Sequence, residues 1–196
     1  MQSPASWLPR QPPAAVRADI EAALTVELTS VVAGARRRVL RDGDRQIDTA
    51  HLLHSLMEYD PEVRVAVGRP SQVARVLGYL VQRSIGYGLA WQGSVEDSGA
   101  LPVARDAEPP GRSPSVAAGR GMPDVPGWSP AAVAAMAGAL ARARRRGDKR
   151  ATGMDVLACV AADPESRAVE VLRRAGVDAS LLAARISEPS RHVSQG

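Results

Sequence analysis

Phenylalanine is missing from this chain, and aromatic residues make up only 3% of it. A core must then be filled by Ala, Val and Leu, which favours helices packed closely through small side chains. Cysteine occurs once, as Cys159. A single thiol excludes a disulfide framework and a thiolate zinc site, and it fits a reducing compartment. Lysine is also nearly absent: of 25 basic residues, all but Lys149 are arginine. A phosphate-binding P-loop needs a Lys after a Gly-rich turn, because that side chain must reach the phosphates. Lys149 lies between Asp148 and Arg150, so no P-loop is present and ATPase chemistry is excluded. No apolar run approaches the roughly 18 residues of a membrane span. The start, Met1-Gln2-Ser3-Pro4, lacks the basic and apolar regions of a secretion signal. A soluble, cytoplasmic protein without membrane partners is expected.

What the chain does contain is a repeat. Gly43-Asp44-Arg45-Gln46-Ile47-Asp48-Thr49-Ala50-His51-Leu52-Leu53 is followed by Asp60-Pro61-Glu62. Gly147-Asp148-Lys149-Arg150-Ala151-Thr152-Gly153-Met154-Asp155-Val156-Leu157 is followed by Asp163-Pro164-Glu165. The offset is 104 residues from Gly43 to Gly147 and 103 from Asp60 to Asp163, a one-residue slip in a turn. Matching turn signals at a fixed offset predict two copies of one helical module packed pseudo-symmetrically.

Residues 1–12 are rich in Pro and Ser and are expected to fray. The first repeat, 13–85, opens with a long helix from Pro13, its apolar face formed by Val16, Ile20, Leu24, Leu28, Val32, Ala35 and Val39. Asp42-Gly43-Asp44 ends it. Asp48 or Thr49 then caps a helix burying Leu52, Leu53, Leu56 and Met57. A short helix over Glu62–Val67 stops at Gly68. Ser71 caps a closing helix that carries Val73, Val76, Leu77, Leu80 and Val81. Residues 86–127 hold so many Gly and Pro that they read as a linker, with Tyr87, Leu89 and Trp91 available to anchor its start. The second repeat, 128–187, opens with Ser129 as N-cap and Pro130 in the first turn. Val133, Met136, Leu140 and Ala143 form its first apolar face. Thr152 caps the next helix, Asp163-Pro164-Glu165 starts a third, and Asp178 caps the last. A polar tail covers 188–196. The fold class is all-α, about eight helices in two four-helix repeats, with no strand.

The block around His51-Leu52-Leu53, its second copy, and the run Ala168-x-x-Val171-Leu172-Arg173-x-Ala175-Gly176-Val177-Asp178 resemble the Clp N-terminal repeat. That repeat precedes the ATPase modules of Clp-family unfoldases. The resemblance covers about two thirds of the chain, with a departure over 63–72. It implies a non-catalytic, cofactor-free module that docks or sequesters adaptors, substrates or ligands of a Clp protease system. Family members that bind phosphoarginine carry a Glu just before the His of this block. Here those positions are Ala50 and Met154, which removes a carboxylate able to pair with a guanidinium. The family's aromatic at the start of the second repeat is kept as Trp128, and its counterpart in the first is Leu24. The groove between the repeats near Leu24 and Trp128 is the expected partner site.

Two Arg clusters occupy equivalent places, Arg36-Arg37-Arg38-Arg41-Arg45 and Arg142-Arg144-Arg145-Arg146-Lys149-Arg150. They read first as solvated helix ends where cations suit the dipole, then as sites for an acidic protein partner. Arg36, Arg37, Arg145 and Arg146 are the candidate contacts. A DNA-associated regulator using these corners is the alternative. It is weakened by a net charge of only +4 and by the lack of interleaved aromatics. His51, His54 and Glu58 share a helix face that could ligate a metal, yet the second copy has Asp155, Ala158 and Ala162 there, so a capping or structural histidine is expected. Cys159 reads as a small buried hydrophobe. No Gly-x-Ser-x-Gly motif or Cys/His pairing points to a hydrolase.

Overall fold

The structure, a computed structural model, describes residues 23–84, Glu96 and residues 127–188. The expectations for 1–22, for Tyr87, Leu89 and Trp91, for the rest of the linker and for 189–196 lie outside the described residues. Among the described residues are eight helices and two very short strands: α1 Val26–Asp42, β1 Gln46–Ile47, α2 Thr49–Tyr59, α3 Pro61–Val67, α4 Pro70–Ser84, β2 Gly127–Trp128, α5 Pro130–Arg146, α6 Gly153–Ala162, α7 Arg167–Arg174 and α8 Ala179–Ser187. The all-α class is as expected.

Local chemistry explains most boundaries. Ser129 caps α5 by accepting the Ala132 N–H, with Pro130 in the first turn. Thr152 caps α6 and Asp178 caps α8. Asp48, rather than Thr49, caps α2. A neutral or anionic oxygen at these positions satisfies a backbone donor that has no partner inside the helix. Both long helices stop at a glycine in the left-handed region, Gly43 at φ 71° and Gly147 at φ 81°, the conformation that residues with a Cβ disfavour.

Four expectations are corrected. Helix α1 begins at Val26, not before Leu24, because Thr25 caps it and Leu24 pairs with Ala151 in a parallel bridge. Helix α4 begins at Pro70, one residue ahead of the expected Ser71 cap. Asp163-Pro164-Glu165 is a turn, and Ser166 caps α7 instead. The buried face of α5 is Ala132, Ala135, Ala139 and Ala143, while Val133 is exposed. Ala143 is buried as expected, and Met136 and Leu140 pack partly buried against the core beside the alanines, so only Val133 leaves the expected face.

The pseudo-symmetry is visible in the bridges. Ile47 pairs with Trp128, and Leu24 pairs with Ala151. Shifted by 104 residues, the first pair becomes the second. The bonds correspond too: Ser129 N–H donates to Ile47 O at 2.8 Å, and Thr25 N–H donates to Ala151 O at 3.1 Å. Each repeat therefore supplies a short edge that the other completes. The first helix pair of each repeat crosses at an equivalent glycine. A Cβ on Gly34 would lie 2.6 Å from the Tyr59 ring and 3.1 Å from Ser55 Oγ, and one on Gly138 would lie 2.8 Å from Cys159 Sγ. Ser55 and Cys159 are themselves 104 residues apart. One apolar core runs through both repeats, from Leu28 and Leu56 to Leu157 and Leu182. Across the seam, α2 packs on α5, α6 and α7, and α4 packs on α7.

Candidate protein-docking site

The seam between the repeats is polar at its centre. Glu96 is only 4% exposed, although it comes from the stretch expected to be linker. Its carboxylate accepts from Thr49 N–H at 2.8 Å and Arg167 N–H at 2.8 Å, the first residues of α2 and α7, and from the Ser129 hydroxyl at 2.8 Å. The Thr49 hydroxyl donates to it as well. Helix N-termini carry unpaired N–H groups and partial positive charge, so an anion suits this meeting point.

Asp48 continues the network. Its carboxylate accepts from Arg83 at 2.6 Å, Arg167 at 2.7 Å and His51 N–H at 2.9 Å. Burial pushes the Asp48 carboxyl up, but the hydrogen bonds and charges of His51 and Arg83 outweigh it and hold the group well below the usual carboxylate range. Asp44 lies 3.1 Å from His51 Nε2 and also accepts from Arg83. Burial lowers the His51 pKa, but bonding to Asp44 and Asp48 reverses this, so His51 is held above its ordinary value. When charged, its two ring N–H groups face these two carboxylates. When neutral, Nδ1 accepts the Asp48 N–H and closes a capping box. At His54 burial, aided by Arg38, outweighs the charge of Glu58 and lowers the pKa to about 4. Glu58 forms an ion pair with Arg38. Among the described residues no group of three or more His, Cys, Asp or Glu could hold a metal ion.

The expected partner residues fall into four settings. Leu24 is 4% exposed and belongs to the core, so its side chain offers a partner no surface, which corrects its assignment to an open groove. Trp128 is half-buried and packs against the core edge. At the first basic corner, Arg37 donates to the Tyr59 hydroxyl at 2.9 Å and lies over that ring, 6.0 Å from its centroid, while Arg36 is half-buried. At the second corner, Arg145 and Arg146 are exposed.

That second corner opens into a cleft of about 480 Å³ between the ends of α5 and α8 and the start of α6. Arg142, Arg145 and Arg146 reach it from one face of α5, and Arg185 reaches it from α8. Spacing of three and four residues puts the α5 side chains side by side. Asp155 is the internal counter-charge. It takes both Nη groups of Arg146, and Arg142 Nε lies 3.5 Å away without hydrogen-bond geometry. Burial raises the Asp155 pKa, but Arg146 and the Thr152 donors outweigh this and lower it. Met154 and Ile186 give the cleft apolar lining. The sequence places Arg142, Arg145 and Arg146 in one basic cluster and singles out Arg145 and Arg146 as contacts, but Arg185 and the cleft escape it, because Arg185 arrives only through tertiary packing.

Cys159 borders a smaller cleft of about 190 Å³ with Ala131, Ala135 and Pro164. Burial raises its thiol pKa, which disfavours the nucleophilic thiolate. No helix among the described residues is long and apolar enough to cross a membrane.

These features define an all-helical domain of two pseudo-symmetric repeats with a polar seam and an open basic cleft. Its fold is similar to that of the N-terminal domain of the caseinolytic-protease-associated chaperone ClpD from Arabidopsis thaliana. The two share 14% identity with a TM-score of 0.52, over 84% of this chain and 92% of that one. No family model matches the sequence, and no curated protein matches it.

Proposed function

We propose that this chain is a non-catalytic protein-binding module of the Clp N-domain type, acting beside a Clp unfoldase–protease by docking or sequestering its adaptors or substrates. The observation that carries the reading is the fold: two four-helix repeats exchanging short edges, superposable on a Clp chaperone N-terminal domain over most of both chains. The loss of the acidic residue at Ala50 and Met154 argues against phosphoarginine as the ligand, since no carboxylate stands there to take a guanidinium. Trp128, large and half-buried at the seam, is the contact residue this reading favours, because aromatic anchors dominate protein interfaces.

The test is affinity capture from the native lysate with the purified chain. A Clp unfoldase, its adaptors or its degradation substrates should be identified with the wild type and reduced with Trp128→Ala, while the variant keeps its helical circular-dichroism signal. Capture in which none of these appears would overturn the reading. Salt titration separates the nucleic-acid alternative, whose affinity falls steeply as counterions compete.

A further inference from the structure

We infer that the cleft formed by Arg142, Arg145, Arg146 and Arg185 is a docking site for an acidic peptide segment of a partner protein, an inference that rests on the protein-binding reading and names the chemistry it recognises. Four guanidinium groups line the cleft, against two carboxylates, Asp155 and Glu188. Asp155 is already committed, since Arg146 takes both its oxygens, and Arg146 also donates through Nε to Asp148 at 2.9 Å, so the cations left without a carboxylate among the described residues are Arg145 and Arg185. Arg142 spends its Nη groups on Ser187 and the Ile186 carbonyl. Its Nε–H is buried without a hydrogen-bond acceptor. Arg185 donates to a backbone carbonyl, that of Ala66. Arg145 has no hydrogen bond or ion pair among the described residues. Donors thus converge on a concave space with fewer acidic groups than cations.

The first repeat shows that this is not a general property of the module. There Arg38 pairs with Glu58, Arg41 with Asp42, and Arg83 with Asp44 and Asp48. Arg38 and Arg41, the counterparts of Arg142 and Arg145, are thus matched by carboxylates, although Arg37 bonds the Tyr59 hydroxyl instead. In the second repeat Arg145 has no such partner among the described residues, and the corner opens into the cleft. Guanidinium forks match carboxylates in geometry as well as charge. The apolar lining from Met154 and Ile186 suits a Leu or Met beside an acidic residue. It would contribute little to a phosphodiester backbone, which is recognised through cations and hydrogen-bond donors.

The experiment uses the full chain and fluorescence anisotropy. The probes are a labelled peptide alternating Glu with Leu, the same peptide with Gln for Glu, and a labelled DNA duplex. The Glu peptide should bind wild type, and Arg145→Glu and Arg185→Glu should each weaken it on the order of tenfold. Arg69→Glu, an equal charge change at an exposed position outside the cleft, should leave it unchanged. Equal binding of the Gln peptide, equal losses in Arg69→Glu and Arg145→Glu, or preference for the duplex would each overturn the inference. Thermal melts of each variant establish that it is folded. Loss of peptide binding specificity with Clp capture intact would remove the cleft alone. Cleft-dependent peptide binding without any Clp capture would leave the cleft standing and remove the Clp reading.

Discussion

Helices α1 and α5 occupy equivalent places in the two repeats, yet they fill them differently. Helix α1 buries Leu28, Val31, Ala35 and Val39, and α5, at the same four places 104 residues on, buries Ala132, Ala135, Ala139 and Ala143. Their partner helices differ in polarity as well. The cap of α2 is Asp48, a buried anion shared by Arg83 and Arg167. The cap of α6 is Thr152, a neutral hydroxyl, and the nearby anion Asp155 faces an open cleft. One backbone plan thus supports two uses. The first repeat buries an anion among its cations, and the second fills the same helix face with alanine and presents Arg145 and Arg146 at an open cleft. Pseudo-symmetry constrains where helices go and leaves the distribution of charge free.

The sharpest way to break this comparison is at the caps. Asp48→Ala removes a carboxylate shared by buried cations and should destabilise the fold by about 3–5 kcal/mol. Thr152→Ala, at the equivalent place, should cost only about 1 kcal/mol. Urea unfolding midpoints of both variants would check this, and equal losses would mean that Asp48 acts as a cap and nothing more.

The helix crossings give the next effect. Gly138→Ala drives a methyl group against Cys159 Sγ and should cost about 1–3 kcal/mol. Cys159→Ala in the same chain should recover most of that loss, a coupling visible in a double-mutant cycle by thermal unfolding.

The histidines separate by pH. His54 is held neutral by the fold, with a pKa of about 4 against an ordinary 6.5. Its contribution is full above pH 6.5 and is lost as pH falls toward 4, with a slope of at most about 1.4 kcal/mol per pH unit. The carboxylates of Asp44 and Asp48 favour the charged form of His51, so its contribution is full below 6.5 and is lost as pH rises through its raised pKa. Stability difference curves against His54→Gln and His51→Gln should therefore slope in opposite senses, on opposite sides of pH 6.5.

The smallest change is expected at Arg145→Glu. An exposed residue without a partner among the described residues should alter stability by less than about 0.5 kcal/mol, and calorimetry would reveal any larger structural role.

Much of the helical plan was legible because its signals are local. Ser129-Pro130, Thr152, Asp178, Gly43 and Gly147 each act on the backbone within a turn of themselves. The repeat itself announced the pairing of α1 with α5 and of α2 with α6. What stayed hidden depends on groups distant in sequence. Apolar spacing runs unbroken through Leu24, yet the chain is extended there because Ala151 supplies a partner from the other repeat. Two-residue strands are too short to leave a pattern. Glu96 sits in a stretch dense in Gly and Pro, and only the convergence of Thr49, Ser129 and Arg167 makes that carboxylate part of the interior. On α5 the alanines are more deeply buried than Met136 and Leu140, and Val133 is exposed, because residue size alone does not tell which side of a helix its neighbour meets. At the candidate docking site, the same limit gave Arg145 and Arg146 but not Arg185.

The paired bridges carry one more consequence. Since Leu24 meets Ala151 and Trp128 meets Ile47, neither half completes its own edge, and the molecule is in topology a dimer whose protomers share one chain. Tethering replaces protomer concentration with a fixed effective concentration, so dilution would leave its melting temperature unchanged, whereas two severed halves would melt lower as they are diluted. A chain cut between Ser84 and Gly127 would become a pair of complementing fragments, each reporting the presence of the other by acquiring helical structure.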